Sequence, residues 1–552
     1  MIDKNKLNSF DIRNFIFSYH WFILLLIGVV GLIFRLIYFP HQLPFILDTE
    51  LFFWYAADMS ILGHIPPGYN FPNTAWSMFV SIFFSFFESE KILDYMVLQR
   101  ILGIVISVIT IIPVYLLCRK FVSIPFSLLG AIFFISSPRL ILDSWIGGTV
   151  TPFILLFTIS LYFILSDNKK LIYASFSILA LFTLIRYEGM VLLIPFLIIF
   201  FIKHKKEKFV LPKLIIPIMI FVIILLPFAY LHAESTDNIQ GYLIPGQGHD
   251  SFVSHGIIQP LEVYRTTSEN DQSELISMFV TGFYNLIQYF GWIMIPLFTV
   301  LTPIGFLLLL KNRNYQKSTI ILSSIFMLLP AFYAYSRGIE DTKYLYVLYP
   351  IFSLLSVITL YEIQKRINRP KIIGIFIISF IFLGSIGFID YQNLDFEHEI
   401  EAFKIAQEIS IISDGVNTYY PESQYLGVST LQNYKFPITK NSISDWGAKE
   451  FGDYRKIDNF NSLEEFILEY NPKTIQCSEI QILSNICAEN RILTHIVIDD
   501  KNTRPQFLKD IFNGNIPPYL KEEFNSQEHG YNYNVKVYKI DFNLFNKILS
   551  EK

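Results

Sequence analysis

Apolar runs separated by short polar segments recur along the first 390 residues of the chain. A helix needs about 20 apolar residues to cross the hydrocarbon core of a bilayer. The pattern therefore predicts a multi-pass α-helical membrane protein with about eleven transmembrane helices. Their approximate ranges are 21–38, 101–118, 122–137, 152–166, 171–186, 190–203, 214–231, 288–310, 318–335, 344–361 and 372–389. The first contains Arg35 and lacks a small-residue cleavage site, so we interpret it as a retained helix and not as a signal peptide.

Basic residues cluster between the apolar runs, and the positive-inside rule assigns such clusters to the cytoplasm. The clusters are Lys4/Lys6/Arg13, Arg119/Lys120, Lys169/Lys170, Lys203 to Lys213, Lys311/Arg313/Lys317 and Lys365/Arg366/Arg369/Lys371. All of these clusters lie on the same side of the membrane only if the apolar run 76–87 does not cross the membrane. At a rise of about 1.5 Å per residue this run is too short to cross, so it predicts an interfacial or re-entrant helix. The N-terminus is then inside, and the segments 39–100 and 232–286 are external loops.

The composition changes after about residue 390, which predicts a transmembrane domain over 1–390 and a soluble domain over 391–552. The second part is polar and alternates strand-like runs with helix-like runs, a pattern typical of a small α/β domain. The charge argument makes this C-terminal domain extracytoplasmic. The strand-like runs are Lys473–Cys477, His495–Asp499 and Asn534–Asp541, and the helix-like runs are Leu463–Tyr470 and Arg504–Phe512.

Overall composition supports a membrane location and argues against a nucleic-acid partner. The 552 residues are 53% hydrophobic and only 16% charged, whereas about a quarter is charged in ordinary soluble domains. The net charge of −4 comes with no basic stripe. Three cysteines are too few for a disulfide scaffold or a four-cysteine zinc site. Cys477 and Cys487 would pair in an extracytoplasmic domain or stay as two separate thiols, and the sequence leaves both readings open.

Two acids, Asp48 and Glu50, follow the first apolar run and open the stretch DTELFFWYAADMSILGHIPP. Ionisable groups are costly at the edge of a bilayer, so they are candidates for function there. Carboxylates at such a place can act as a general base or hold a divalent cation such as Mg²⁺ or Mn²⁺. Asp48 as a simple loop-capping residue is the alternative.

Basic residues are scarce on the predicted outer face, and most of them lie at predicted outer helix ends. Arg186, Arg337 and Lys343 are the candidates for gripping a phosphate, since arginine can do so through a bidentate fork. The further candidates are Arg139, Asp143, Glu188 and Tyr344. Arg35 and Arg186 would equally snorkel towards the interface, and Tyr344 would equally belong to an interfacial aromatic belt.

The chain resembles GT-C-type membrane glycosyltransferases, close to glycosyltransferase family 39 and the dolichyl-phosphate-mannose-protein mannosyltransferase group. The resemblance covers about residues 20–360. It rests on the ordered set Asp48, Phe52, Ala56, Gly63 and Pro66, then Arg100, Ser137-Pro138, Arg186-Tyr187-Glu188-Gly189 and Lys343-Tyr344 followed by Pro350. The chain departs from the family pattern at Thr49, which separates the two acids, and at Thr151-Pro152, where a second external acid is common.

This resemblance implies inverting transfer of a sugar from a polyprenyl-phosphate-linked donor to a protein or glycolipid acceptor at the outer membrane face. It implies that Asp48 deprotonates the acceptor hydroxyl, with Glu50 beside it. Arg186, Arg337 and Lys343 would hold the leaving phosphate. The activity expected is therefore that of a cell-envelope glycosyltransferase, for example in protein glycosylation.

Two other functions compete with this one. An oligosaccharyltransferase shares the architecture, but its family normally carries a Trp-Trp-Asp-Tyr-Gly motif, and this chain has only Asp445-Trp446-Gly447. A secondary transporter would have broken helices in paired halves and a site near the bilayer midplane. The sugar, the acceptor, metal dependence and the oligomeric state are not determined by the sequence.

Overall fold

The computed structural model describes most of the membrane region and part of the C-terminal region. The described residues are 17–45, 48–65, 74–89, 91–205, 210–236, 271–311, 314–365, 370–392, 397, 400–401, 404–405, 408, 461–469, 495–500, 505–532 and 534–551.

Up to residue 392 the described chain is helical. Two 3₁₀ segments, Tyr187–Leu192 and Thr342–Leu348, interrupt the series of α-helices. The α-helices are α1 His20–Ile37, α2 Asp48–Leu62, α3 Thr74–Phe86, α4 Ile92–Ile109, α5 Ile111–Arg119, α6 Ile124–Ile135, α7 Pro138–Ile146, α8 Val150–Ile164, α9 Lys169–Ile185, α10 Leu193–His204, α11 Val210–Thr236, α12 Asp271–Met294, α13 Leu301–Leu310, α14 Tyr315–Ser336, α15 Tyr349–Gln364 and α16 Pro370–Gln392.

The chain is a multi-pass α-helical membrane protein. Seven helical segments among the described residues are long and apolar enough to cross a bilayer, and the bent pair α6 and α7 would make eight. The seven are His20–Ile37, Leu93–Arg119, Tyr187–His204, Pro212–Leu231, Tyr315–Ser336, Thr342–Gln364 and Gly374–Gln392. Each of the eleven predicted ranges overlaps a helix, but α8 and α13 are short apolar helices. The total of about eleven spans therefore stays a prediction.

Several predicted boundaries are wrong. The expected span 288–310 is two helices, α12 and α13, because Pro296 lies between them and has no backbone N–H for a helical hydrogen bond. The expected loop 232–286 starts and ends within helices, since α11 continues to Thr236 and α12 begins at Asp271, and residues 237–270 lie outside the described residues.

The predicted loop 39–100 is largely helical. It contains α2, α3 and the beginning of α4. Neither glycine nor proline occurs from Asp48 to Leu62, and α2 ends where Gly63 takes a left-handed φ of 73°. The run 76–87 lies in the 13-residue helix α3 and its margin, and that helix is too short to span alone. Its position relative to the membrane stays a prediction.

The chain divides into two compact units. The first comprises Met1–Phe39, Asn70–Trp76 and Arg100–Leu394, and the second comprises Pro40–Tyr69, Ser77–Gln99 and Asp395–Lys552. The predicted division into 1–390 and an extracytoplasmic 391–552 stays a prediction.

The core of the first unit is formed by closely packed helix pairs, among them α8 with α9 and α13 with α15. The Phe153 and Phe182 rings stack with centroids 4.0 Å apart. At Gly305 the backbones approach so closely that a Cβ would lie 2.2 Å from the Leu355 carbonyl oxygen. Small residues permit such close packing between membrane helices.

The C-terminal part of the second unit contains a three-stranded antiparallel sheet in the order β1–β3–β2. Its described elements are the helices α17 Leu463–Glu469, α18 Gln506–Phe512 and α19 Phe542–Glu551 and the strands β1 His495–Asp499, β2 Leu520–Asn525 and β3 Val535–Ile540. Two of the predicted strand-like runs form β1 and β3, and both helix-like runs form helices. The strand β2 and the helix α19 were missed. The predicted strand Lys473–Cys477 and the thiols Cys477 and Cys487 lie outside the described residues.

Candidate active site

The helix α7 carries two of the predicted site residues, Arg139 and Asp143. It starts after Ser137, whose backbone is extended, with Pro138 as its first residue, a position that proline favours. It ends at Gly147, which has a left-handed φ of 74°. A bend of 53° separates α7 from α6. The Ser-Pro and Gly signals thus make a short, separately oriented helix.

Asp143 is buried, with 4% of its surface exposed. The charged groups that act on it are Lys343, Asp341 and Arg186, with Lys343 the strongest. Two cations from distant parts of the chain therefore converge on one carboxylate.

Arg186 lies in the turn between α9 and the first 3₁₀ segment, where its extended backbone (φ −149°, ψ 125°) ends the helix. Its Nε and Nη2 atoms donate to Oε1 of Glu188 at 3.1 and 2.5 Å. Glu188 is 5% exposed, and its Oε2 has no hydrogen-bond partner within the described part of the chain. The Glu188 carboxylate compensates the charge of the partly buried guanidinium, which stays cationic because arginine is not deprotonated in proteins.

Aromatic rings fix the guanidinium plane of Arg186. Its Cζ atom lies 5.5 Å from the ring centroid of Phe153 and 5.3 Å from that of Tyr344. Cations over aromatic faces gain energy from the ring quadrupole, more so where water is excluded. Phe153 stacks in turn on Phe182, which touches Gly189 so closely that a Cβ there would lie 2.4 Å from Phe182 Cδ1.

The second 3₁₀ segment presents Lys343 and Tyr344. Asp341 caps this segment, because its Oδ1 accepts a hydrogen bond of 2.8 Å from the Lys343 backbone N–H. The Tyr335 hydroxyl donates to the Asp341 carbonyl at 3.0 Å. Lys343 is half-buried, and its charge acts on Asp143.

The structure thus brings together Asp143, Arg186, Glu188, Lys343 and Tyr344, which we call the cationic cluster. Arg139 borders it, because Arg139 and Asp143 both act on the Tyr346 hydroxyl. The guanidinium of Arg139 also lies 5.1 Å from the Phe388 ring centroid.

Arg337 lies at the margin of the cationic cluster. It ends α14, donates to the Tyr333 hydroxyl at 2.7 Å and lies 5.5 Å from that ring. Tyr333 acts electrostatically on Tyr187, the neighbour of Arg186 in the chain. Arg337 therefore interacts with Arg186 only indirectly in the described contacts, through Tyr333 and Tyr187.

Asp48 and Glu50 form the first turn of α2 in the second unit. Their side chains lie outside the described residues. Their catalytic role stays a prediction.

Sequence reasoning missed Asp341 and Phe153. Asp341 had a signal, since an aspartate two residues before Lys343 is a typical cap. Phe153 had none, because it is one of many aromatics in an apolar run and meets Arg186 only through the packing of α8 on α9.

Solved structures with a similar fold include membrane transferases. No protein-family model and no curated protein matches the chain. The oligosaccharyltransferase of Archaeoglobus fulgidus in complex with Zn and sulfate has a TM-score of 0.55 at 12% identity, over 86% of this chain and 68% of that one. Its apo form has a TM-score of 0.51 at 12% identity, over 87% and 69%. The fold is of the GT-C type.

ArnT from Cupriavidus metallidurans bound to undecaprenyl phosphate has a TM-score of 0.49 at 12% identity, over 72% of this chain and 70% of that one. At these identities the likeness of this GT-C chain to the solved structures concerns the fold alone. The narrower resemblance to family 39 stays a prediction.

A divalent cation was predicted beside the acids of this GT-C chain. Among the residues with described side chains, no group of three or more His, Cys, Asp or Glu residues is placed to hold a metal ion. That set does not include Asp48 and Glu50, so the predicted Mg²⁺ or Mn²⁺ stays untested.

Proposed function

We propose that the chain is a membrane glycosyltransferase that moves a sugar from a polyprenyl-phosphate-linked donor to an acceptor. The observation that carries this proposal is the pair of half-buried cations, Arg186 and Lys343, that act on the buried carboxylate of Asp143 within a GT-C fold. The two Archaeoglobus structures of the same fold are named as oligosaccharyltransferases, which supports glycosyl transfer.

Arg186 and Lys343 bind the donor phosphate in this proposal. Arg186 is held in place by Glu188 and two aromatic rings, so little conformational entropy is lost when it meets a phosphate. Donors fixed where negative charge develops stabilise the transition state, because they need no reorganisation during the reaction. The phosphate gains charge as it leaves, and the two cations offset that charge. Arg337 would extend the same electrostatic attraction at the margin.

Asp48 is the proposed general base, and the reaction inverts the anomeric carbon. The acceptor hydroxyl oxygen attacks that carbon from the side opposite the phosphate, and Asp48 takes its proton. The bond between the anomeric carbon and the phosphate oxygen breaks, and polyprenyl phosphate leaves with the electron pair. A general base contributes typically about 10²–10⁴-fold to such a step.

The other candidate residues have supporting roles in this proposal. Glu50 assists Asp48, either directly or by sharing a Mg²⁺ or Mn²⁺ ion with it, which would bring hard oxygen ligands to a cation near the phosphate. Tyr344 offers an aromatic face next to Arg186, and Arg139 and Asp143 orient the groups around Lys343. The acceptor is a protein or a glycolipid at the extracytoplasmic face.

The test is an assay of purified protein with polyprenyl-phosphate monosaccharides, polyprenyl-diphosphate oligosaccharides and candidate peptide or lipid acceptors. We expect acceptor-dependent release of polyprenyl phosphate with the monophosphate donors, and its loss in Asp48→Asn. Thr302→Val, in a buried contact of α13 with α15, is the matched control and keeps activity. Transfer only from the diphosphate donors, with release of polyprenyl diphosphate, would favour the oligosaccharyltransferase. Movement of the intact donor across vesicles without transfer would favour a transporter, and full activity of Asp48→Asn would remove the proposed base.

A further inference from the structure

Two arginines outside the cationic cluster lie buried at the ends of the two half-helices α6 and α7. Arg35, in α1, is 0% exposed, and Arg100, in α4, is 2% exposed. We infer that Arg35 and Arg100 are positioning residues that fix α7, and with it Asp143, against Lys343 and Arg186. The inference rests on the proposed function of that cluster.

Arg35 binds the C-terminal end of α6. Its Nη1 donates to the carbonyl of Ile135, the last residue of α6, at 3.0 Å, and to the Gly31 carbonyl at 3.1 Å. Its Nη2 donates to Ser107 Oγ at 3.1 Å. The last carbonyls of a helix have no partner within the helix and carry the negative end of its dipole. Arg35 therefore supplies both a donor and a positive charge where α6 stops.

Close helix packing makes the contact of Arg35 with α6 possible. A Cβ on Gly31 would lie 2.2 Å from Ile135 Cγ1, so α1 and α6 meet at the closest distance that glycine allows. Arg35 does not snorkel, because its guanidinium lies fully inside the protein, where Nη1 and Nη2 donate to two carbonyls and one hydroxyl. Its Nε has no hydrogen-bond partner among the described residues.

Arg100 binds the C-terminal end of α7. Its Nε donates to the Trp145 carbonyl at 2.8 Å. The Trp145 indole donates to the carbonyl of Arg35 at 3.0 Å, and the Trp76 indole donates to the Gly147 carbonyl at 3.1 Å. The two arginines are thus linked through Trp145, and the end of α7 is tied to α1 and α4.

These contacts determine where α7 points. A nine-residue helix has little intrinsic stability, so its direction depends on what holds its ends. The groups that bind these helix ends are buried, and a buried carbonyl that loses its partner costs free energy comparable to a lost hydrogen bond. Asp143 lies two residues before Trp145, so a shift of the clamped end moves the carboxylate on which Lys343 acts. A displacement of about 1 Å in a site can reduce activity by about 10²-fold.

The experiment compares Arg35→Met and Arg100→Met with Arg35→Lys, Arg100→Lys and the Thr302→Val control. We expect both Met variants to raise the KM for the polyprenyl-phosphate donor about tenfold while the KM for the acceptor stays unchanged. Arg100→Lys recovers part of the affinity, since an ammonium can still donate to the Trp145 carbonyl. Arg35→Lys recovers less, because one ammonium cannot reproduce the planar fork to Ile135 and Ser107.

Two further readouts separate positioning from loss of fold. In a double-variant cycle, Arg35→Met and Asp143→Asn are non-additive in donor KM, because both act on the same carboxylate. In detergent, amide hydrogen exchange over 139–146 rises in the Met variants while exchange over α14 stays unchanged.

The outcomes distinguish this inference from the proposed function. A wild-type donor KM in the Met variants, with kcat reduced only in proportion to the folded fraction, overturns the positioning role. Unchanged exchange over α7 overturns it as well. Absence of transfer by the wild type with every donor removes the proposed function, and the exchange measurement then still decides whether the arginines clamp α7.

Discussion

Arg186 directs two of its N–H groups, from Nε and Nη2, at the same carboxylate oxygen of Glu188. A guanidinium has five N–H donors, so three remain when this pair is formed. The pair therefore orients Arg186 without using up its capacity to bind a phosphate. It also keeps the cation compatible with burial, because an uncompensated buried charge is far costlier than a paired one.

Replacing Glu188 by Gln tests whether this pair supports the site. Gln keeps an acceptor for Arg186 but removes the negative charge. Breaking a buried ion pair costs about 3–5 kcal/mol when one partner is lost, and we expect the low end of that range. The result should be a lower unfolding temperature in detergent and a higher donor KM.

Glu362→Gln is the control for that substitution, because it removes the carboxylate of the exposed pair with Lys365. Exposed pairs contribute little to stability. If Glu188→Gln changed stability and KM no more than Glu362→Gln, the pair would have no role in holding Arg186.

The substitution Arg186→Lys should reduce kcat by about 10²–10³-fold, the range found when a donor to a developing oxyanion is removed. Lysine keeps the charge but loses both the fork to Glu188 and the planar contact with Phe153 and Tyr344. The measurement is the rate of acceptor-dependent polyprenyl phosphate release at saturating donor.

Arg337→Lys is the matched comparison. Because Arg337 lies at the margin and contacts the ring and hydroxyl of Tyr333, we expect a markedly smaller loss of kcat. Equal losses for the two variants would mean that both arginines contact the phosphate, as the sequence alone predicted.

Asp143 and Lys343 should behave as a coupled pair. Asp143→Asn and Lys343→Met each change donor KM, and the double variant should deviate from additivity by about 0.5–3 kcal/mol, because the two charges act on each other. Asp143→Asn combined with Thr302→Val should be additive, since Thr302 contacts α15 and not the cluster. Additivity of the first pair would show that Asp143 and Lys343 act on the donor independently.

The sequence predicted the cations of the site better than the groups that hold them. Arg186 and Lys343 could be found because basic residues are rare at the predicted outer helix ends. Arg35 could not be distinguished from a snorkelling residue, since its partner carbonyl at Ile135 is 100 residues away in the chain. Helix ranges followed from apolar periodicity, but the break at Pro296 and the helix α2 did not. Pro296 interrupts an apolar run that is long enough for one helix, and α2 forms in a predicted loop because it contains neither glycine nor proline.

Gly189→Ala tests the aromatic support beneath Arg186. A Cβ at this position would lie 2.4 Å from Phe182 Cδ1, a distance at which one of the two groups must move. Phe182 stacks on Phe153 at 4.0 Å, and Phe153 lies under the guanidinium, so the displacement is passed to Arg186. We expect a loss of donor affinity together with a lower unfolding temperature, measured by donor titration and thermal unfolding.

Gly291→Ala is the control, because a Cβ there meets nothing within 4 Å. In that helix the exchange of Gly for Ala should leave stability equal or raise it by about 0.5–1 kcal/mol. Donor affinity should not change. Should Gly189→Ala bind the donor as well as Gly291→Ala does, the rings would not position Arg186, and Glu188 alone would account for its orientation.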